Sequence, residues 1–199
     1  MPQLVLCTGN PGKLRELSDL LPDGLEVLSH IDLGLPRDLP EEFDDLERNA
    51  VQKASFVFER TGHLSLADDT GLEVEALGGR PGALSARFAG PERDPEANMD
   101  KLLEALVDQK NRKARFRTVM ALVGPEGHWT CEGVVNGSIT HHRKGSEGFG
   151  YDPIFLPEGE ERTFAEMDRT SKNRLSHRAR ALHQVIAHLN AEEGRSTPH

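Results

Sequence analysis

Apolar residues return along this chain with two different periods, and the switches between them mark out strands and helices. Leu4-Val5-Leu6-Cys7 is a short apolar run, after which Leu14, Leu17, Leu20 and Leu21 recur at helical spacing. Strand, glycine-containing loop and helix therefore follow one another. The helix is expected to stop at Pro22-Asp23-Gly24, with a second strand at Glu26-Val27-Leu28 and an irregular acidic stretch over 32–45. Leu46, Ala50, Ala54 and Val57 form the inner stripe of a second helix over 44–60, closed by Gly62. A buried strand is expected over 63–67, ending at Asp68-Asp69-Thr70-Gly71, and a separate alternating segment over 72–76. Met99, Leu102, Leu103 and Leu106 place a third helix over 95–106, and the alternating segments 114–123 and 128–135 read as a hairpin around Gly124-Pro125-Glu126-Gly127. A glycine-rich loop over 145–152 precedes a last helix over 172–190 that turns Leu175, Ala179, Leu182, Ile186 and Leu189 inward. The polar tail, 191–199, is expected to fray. Helices alternating with strands early and a hairpin later predict an α/β fold around a mixed sheet.

Composition narrows what such a fold could do. The 199 residues contain no internal repeat and no low-complexity linker, so the chain is read as one domain. Lys and Arg number 24 against 33 Asp and Glu, a net −9 that disfavours binding to nucleic acid. No apolar run approaches the roughly 18 residues of a membrane span, and residues 1–7 lack the build of a signal peptide, which points to a cytoplasmic protein. Cys7 and Cys131 stand far apart with no CxxC or Cys/His cluster, so they are expected to be small buried side chains rather than zinc ligands or a disulfide.

The candidate chemistry lies on the loops. Thr8-Gly9-Asn10-Pro11-Gly12-Lys13, between a buried strand and a helix, has the makings of a phosphate cradle, and equally those of a tight turn with an exposed lysine. It is not a Walker A loop, since Leu14 stands where a magnesium-binding hydroxyl would be. Asp68 and Asp69 suit magnesium and general-base work, although aspartates also cap turns. Asp44 and Asp45 read as a helix cap. Gly148-Phe149-Gly150-Tyr151-Asp152-Pro153 could lay a ring against a base or plug the core with Phe149. Lys172, Arg174, His177, Arg178 and Arg180 concentrate positive charge near the start of the last helix, suggesting a small anionic ligand, with Arg174 and Arg180 assigned to the solvated face. His63, His141, His142 and His188 read as structural or surface residues, and no GxSxG-like nucleophile setting is present.

Taken in order, several of these segments resemble one family, the inosine triphosphate pyrophosphatases, or XTP/dITP diphosphatases. The matching pieces are the 8–13 loop, Asn49-Ala50 with Lys53, Ala67-Asp68-Asp69-Thr70-Gly71-Leu72, Gly78-Gly79 with Pro81-Gly82, Ser85-Ala86-Arg87-Phe88, the segment 148–155 and Ser176-His177-Arg178. The resemblance implies an elongated two-lobed α/β fold, a homodimer, and magnesium-dependent hydrolysis of non-standard purine triphosphates (ITP, dITP, XTP) to the monophosphate and pyrophosphate. Asp69 would be the general base and, with Glu41, a metal ligand; Glu42 is the neighbouring candidate for that second position. Thr8, Gly9, Asn10, Pro11, Gly12, Lys13 and Lys53 would hold phosphates. Thr70, Phe149, Gly150, Tyr151, Asp152, Lys172, His177 and Arg178 would contact the nucleotide, with His177 and Arg178 as a donor pair for a 6-oxo group. Two other readings stand beside this one: a Maf-like pyrophosphatase acting on pyrimidine or modified nucleotides, and a nucleotide-binding sensor without turnover.

Overall fold

The computed structural model describes residues 3–22 and 24–195. Asp23 of the expected helix stop and the last four residues of the expected frayed tail lie outside that range. Seven strands form one mixed sheet in the order β2-β1-β3-β5-β6-β7, with β4 paired to β3. They are β1 (Leu4–Leu6), β2 (Val27–Ser29), β3 (Leu64–Val74), β4 (Pro81–Gly82), β5 (Lys113–Gly124), β6 (Gly127–Ile139) and β7 (Phe155–Pro157). The helices are α1 (Pro11–Leu20), α2 (Leu46–Thr61), α3 (Pro95–Ala105), α4 (Arg169–Leu175) and α5 (His177–Arg195). The expected α/β class with a mixed sheet is therefore the observed one.

Local chemistry accounts for most boundaries. Asn10, Asp45, Asp94 and Asp168 each accept a backbone N–H at the start of a helix, so Asp45 is the cap that its place in the acidic run suggested. Gly62, at φ 69°, closes α2 in the left-handed conformation. The β5–β6 hairpin pairs Gly124 with Gly127 across a two-residue turn.

Two expectations about the elements change. The strand expected over 63–67 does not stop at the aspartates: β3 runs on through them to Val74, because β5 pairs with it residue by residue from Ser65 to Val74. The aspartates are thus in mid-strand. The last helix is also two helices, since Ser176 leaves helical geometry (φ −66°, ψ 149°), and α5 continues to Arg195 rather than ending at 190.

Apolar side chains gather into three clusters. α2 packs on one face of the sheet through Ala50, Ala54 and Val57 against Val5, Ala67 and Val119. α1 and α5 cover the other face through Leu17, Leu182 and Val185 against Leu4, Leu66 and Met120. A third cluster joins α3 to the far part of β3, β5 and β6 through Met99, Leu102, Phe116 and Val135.

The seat of α5 on β6 depends on one glycine. A Cβ on Gly133 would run into the His177 carbonyl and lie 2.6 Å from the Ala181 nitrogen. Gly133→Ala is expected to lower the unfolding free energy by about 1–3 kcal/mol through forced separation of helix and strand. The urea midpoint measures this, and an unchanged midpoint would mean that the contact is not limiting.

Candidate active site

The site occupies a gap in one edge of β3. Along that edge β1 pairs with Leu64, Ser65 and Leu66, and β4 pairs with Leu72 and Glu73. Residues 67–71 have no strand partner on this side, so the crevice opens beyond the carboxyl end of β1, where α/β sheets commonly bind ligands. Strand alternation then sends adjacent side chains to opposite faces. Asp68 shares a face with Leu66 and meets α1 and α5, whereas Asp69 shares a face with Ala67 and meets α2.

On the α2 face, Asn49 and Lys53 are one turn apart within the apolar stripe. Asn49 Nδ2 donates to Asp69 Oδ2 at 3.1 Å, and Lys53 Nζ lies 3.6 Å from Asp69 Oδ1 and 2.6 Å from Glu41 Oε1. Lys53 also donates to the Asp68 carbonyl at 2.7 Å, which satisfies a backbone group of the unpaired edge. Burial raises the Asp69 carboxyl above the usual carboxylate range, with Lys53 and Lys13 pulling against it and Glu41 adding to the rise. Glu41 moves the other way: burial would raise it, but Lys53 outweighs burial and keeps it ionised. The exposed Glu42 is turned away, bonded to Gln52, so of the two glutamates it is Glu41 that lines the cleft.

On the opposite face a lattice of charges is almost wholly buried. Arg178, 1% exposed, donates from Nη1 to Glu16 and from Nε to Asp68 Oδ2 at 3.2 Å. Lys172 Nζ bridges Glu16 Oε1 and Asp152 Oδ2, each at 2.6 Å, and Lys13 Nζ lies 3.0 Å from Asp68 Oδ2. Burial alone would raise Asp68 and Glu16; Lys13 and Arg178 hold Asp68 well below the usual range, and Arg178 and Lys172 lower Glu16. Asp152 stays raised, because its burial exceeds the pull of Lys172.

A relay of hydroxyls runs from this lattice to His177. The ionised Asp68 can only accept, so the Thr70 hydroxyl donates to Asp68 Oδ2 at 3.2 Å. Thr118 Oγ1 lies 2.7 Å from Thr70 Oγ1 and 2.6 Å from His177 Nδ1, which completes the hydrogen-bonded chain. The ring is neutral, since burial and then Arg178 and Lys172 push its pKa well below 6.5. It therefore carries one N–H and one lone pair, beside the guanidinium of Arg178, which can only donate.

Beside these groups lies a cleft of about 460 Å³. Thr8, Gly9, Asn10, Pro11 and Lys13 border it, as do Glu41, Lys53, Asp69, Thr70, Gly150, Tyr151, Asp152, Lys172, His177 and Arg178, with Glu16 and Asp68 behind this wall. Gly12 does not. Its N–H and that of Lys13 donate to Asn10 Oδ1 at 2.8 and 3.2 Å, and a Cβ on Gly12 would sit 2.6 Å from the Phe149 ring. The loop is therefore less of an open N–H cradle than expected, and Gly12 acts by letting Phe149 approach. Phe149 is half-buried and joins none of the three apolar clusters; its N–H donates to Asp152 Oδ2 at 2.8 Å, and Lys172 Nζ stands 5.0 Å from the ring centre. Tyr151 faces inward, its hydroxyl bonded to the Ser85 carbonyl at 2.8 Å. Arg174 and Arg180 are exposed and outside the cleft. Cys7 borders it, but burial raises its thiol to about 12, which leaves it protonated and unreactive.

The sequence reading overlooked Glu16, Arg37, Arg93 and Thr118, and left Asn49 without a role. Glu16 and Asn49 carried a usable signal, each being a polar residue beside or within an apolar helical stripe. Arg37, Arg93 and Thr118 carried none.

The state of His177 makes stability depend on pH. In the unfolded chain its pKa is about 6.5, so below that value the unfolded state gains a proton that the folded state refuses. Stability should fall by about 1.4 kcal/mol from this residue between pH 7.5 and 5.5. His177→Gln should flatten that slope in urea titrations, and an equal slope in the variant would assign the effect elsewhere.

A model of the Ham1 family matches residues 4–188. The dITP/XTP pyrophosphatase of Porphyromonas gingivalis is 47% identical over 186 residues, 93% of this chain and 96% of that protein. That of Flavobacterium johnsoniae is 43% identical over 189 residues, covering 95% and 98%. The HAM1 protein structure from Coxiella burnetii superimposes with a TM-score of 0.88 at 38% identity, covering 96% of this chain and all of that one. With the matched segment spanning the loop, the β3 gap, the cleft and most of α5, the chain belongs to the Ham1 family.

Proposed function

We propose that this protein hydrolyses non-standard purine nucleoside triphosphates, namely ITP, dITP and XTP, to the monophosphate and pyrophosphate. One observation carries the chemistry: Asp69, with a raised proton affinity, is fixed by Asn49 and Lys53 in the unpaired edge of β3, facing the cleft. A carboxylate of raised pKa is a better base than an ordinary aspartate. Asp69 takes a proton from water as the water oxygen bonds to the α-phosphorus; the bond from that phosphorus to the α–β bridging oxygen breaks, and pyrophosphate leaves with the electron pair. Asn49 and Lys53 keep the carboxylate in place through the step.

Among the described residues no group of three or more His, Cys, Asp or Glu side chains is placed to hold a metal ion. Two carboxylates on the cleft wall, Glu41 and Asp69, fit magnesium, which is usually bound by one or two carboxylates and completes its shell with water and substrate phosphates. When bound, magnesium would neutralise phosphate charge and lower the pKa of a bound water. Phe149 offers a ring face for the base, and His177 with Arg178 polar groups for its edge. The names of the relatives, dITP/XTP pyrophosphatases, support this substrate class, and the comparisons give no support to a Maf-like or sensor role. The same reading takes the protein as a two-lobed single domain and a cytoplasmic homodimer. No helix among the described residues is long and apolar enough to cross a membrane.

A pyrophosphate-release assay with ITP, XTP, dITP, GTP, ATP and UTP, with and without magnesium, tests the reading. Magnesium-dependent turnover of ITP, XTP and dITP well above the other three is expected; orthophosphate as product, or preference for UTP, would overturn it. Asp69→Asn should reduce kcat by about 10²–10⁴-fold, the usual contribution of a general base, while ITP affinity changes little. Retained turnover in that variant would remove Asp69 from the role of base.

A further inference from the structure

The inner wall of the cleft has no positive charge to spare. Lys13, Lys53, Lys172 and Arg178 face Glu16, Glu41, Asp68, Asp69 and Asp152, and each of the four cations is in an ion pair with one or more of these carboxylates. A triphosphate brings several more negative charges. Two arginines outside this lattice also border the cleft, Arg37 and Arg93. Arg37 Nε donates to the carbonyl of Gly9 at 3.3 Å, so its guanidinium lies against the 8–13 loop and is held by a neutral group instead of a carboxylate. Arg93 reaches Asp38 at 3.6 Å and Glu41 at 3.9 Å, long contacts on a half-exposed side chain that an incoming phosphate can replace. Arg93 is also the single non-glycine residue among the described ones with positive φ, 55°, a conformation that costs energy in most residues and tends to persist where function requires it.

We propose that Arg37 and Arg93 form a clamp on the β- and γ-phosphates of the substrate and on the pyrophosphate that leaves. The inference rests on the hydrolytic reading above. Both arginines attach to the part of the wall that carries Gly9 and Glu41, whereas Phe149, Lys172 and Arg178 gather around Glu16 and Asp152. Nucleoside and leaving group are thereby held by separate sets of side chains. As the bond to the α–β bridging oxygen breaks, negative charge grows on that oxygen and on the departing β-phosphate. A guanidinium fork placed there binds the transition state more strongly than the ground state. Asp38 and Glu41 keep the Arg93 side chain over the cleft until phosphate arrives.

The test compares wild type, Arg37→Ala, Arg93→Ala, the double variant and Arg93→Lys, each checked for an unchanged melting temperature. Three quantities are read: kcat/KM for ITP with magnesium, inhibition by pyrophosphate, and inhibition by IMP. Each alanine variant should lower kcat/KM by about ten-fold or more and weaken pyrophosphate inhibition, as expected for a lost charge-assisted contact. IMP inhibition should stay within about two-fold, because the monophosphate does not reach the clamp, and Arg93→Lys should recover only part of the loss. Unchanged pyrophosphate inhibition, or an equal weakening toward IMP, would overturn the clamp. If wild type itself releases no pyrophosphate from ITP, the hydrolytic reading fails first, and the two failures are distinguishable.

Discussion

Charge that is taken out of water has to be answered by opposite charge, and the architecture of this protein follows from that requirement. Arg178 is 1% exposed and Lys172 5%, and both are surrounded by carboxylates. An isolated ion in such a place would cost several kcal/mol after relaxation, so each must meet its partners with good geometry. The partners come from distant parts of the chain: Glu16 from α1, Asp68 from β3, Asp152 from the loop after β6. The lattice therefore fixes how α1, α4 and α5 approach the sheet. Such pairs add little net stability over apolar substitutes, whereas loss of one member leaves an unanswered buried charge, so their effect is on specificity of arrangement.

The second constraint is topological. Had β4 continued along β3 to meet β1, residues 67–71 would be paired on both sides and no crevice would open in the sheet there. The interruption leaves room for a ligand while β5, on the other side, keeps this segment extended. Strand alternation then divides the labour of adjacent aspartates: Asp68 anchors the charge lattice, and Asp69 reaches the α2 face with Asn49 and Lys53. Similar residues thus have opposite proton affinities, lowered by cations at Asp68 and raised by burial at Asp69.

Glycines set the distances between these parts at three contacts. Gly12 lets Phe149 lie on the start of α1, Gly71 admits the Gly82 backbone, 2.6 Å from where a Cβ would be, and Gly133 seats α5 on β6. At each of these the requirement is close approach rather than an unusual backbone angle. Gly148 combines both, since φ is 75° and a side chain there would collide with the Asp152 carboxylate.

Much of this was legible from the sequence because it is decided locally. Hydrophobic period and capping side chains predict a helix over 44–60, close to the observed Leu46–Thr61, and the run of motifs from the 8–13 loop to Ser176-His177-Arg178 carries the family resemblance. The extent of β3 was not legible: whether a polar Asp68-Asp69 pair ends a strand or lies within it depends on the pairing of β5, which is far away in sequence. The break at Ser176 was hidden for a similar reason, since the apolar stripe continues through it while the backbone does not. Composition could show an excess of acid but not which acids are buried, so Glu16, although it stands beside the apolar stripe of α1, gains its role only through Lys172 and Arg178. By itself the sequence determined the α/β class, most of the longer elements and the family resemblance. Only the tertiary structure decided the faces and the protonation of the candidate site residues, because those depend on burial and on hydrogen bonds between residues as much as 162 positions apart.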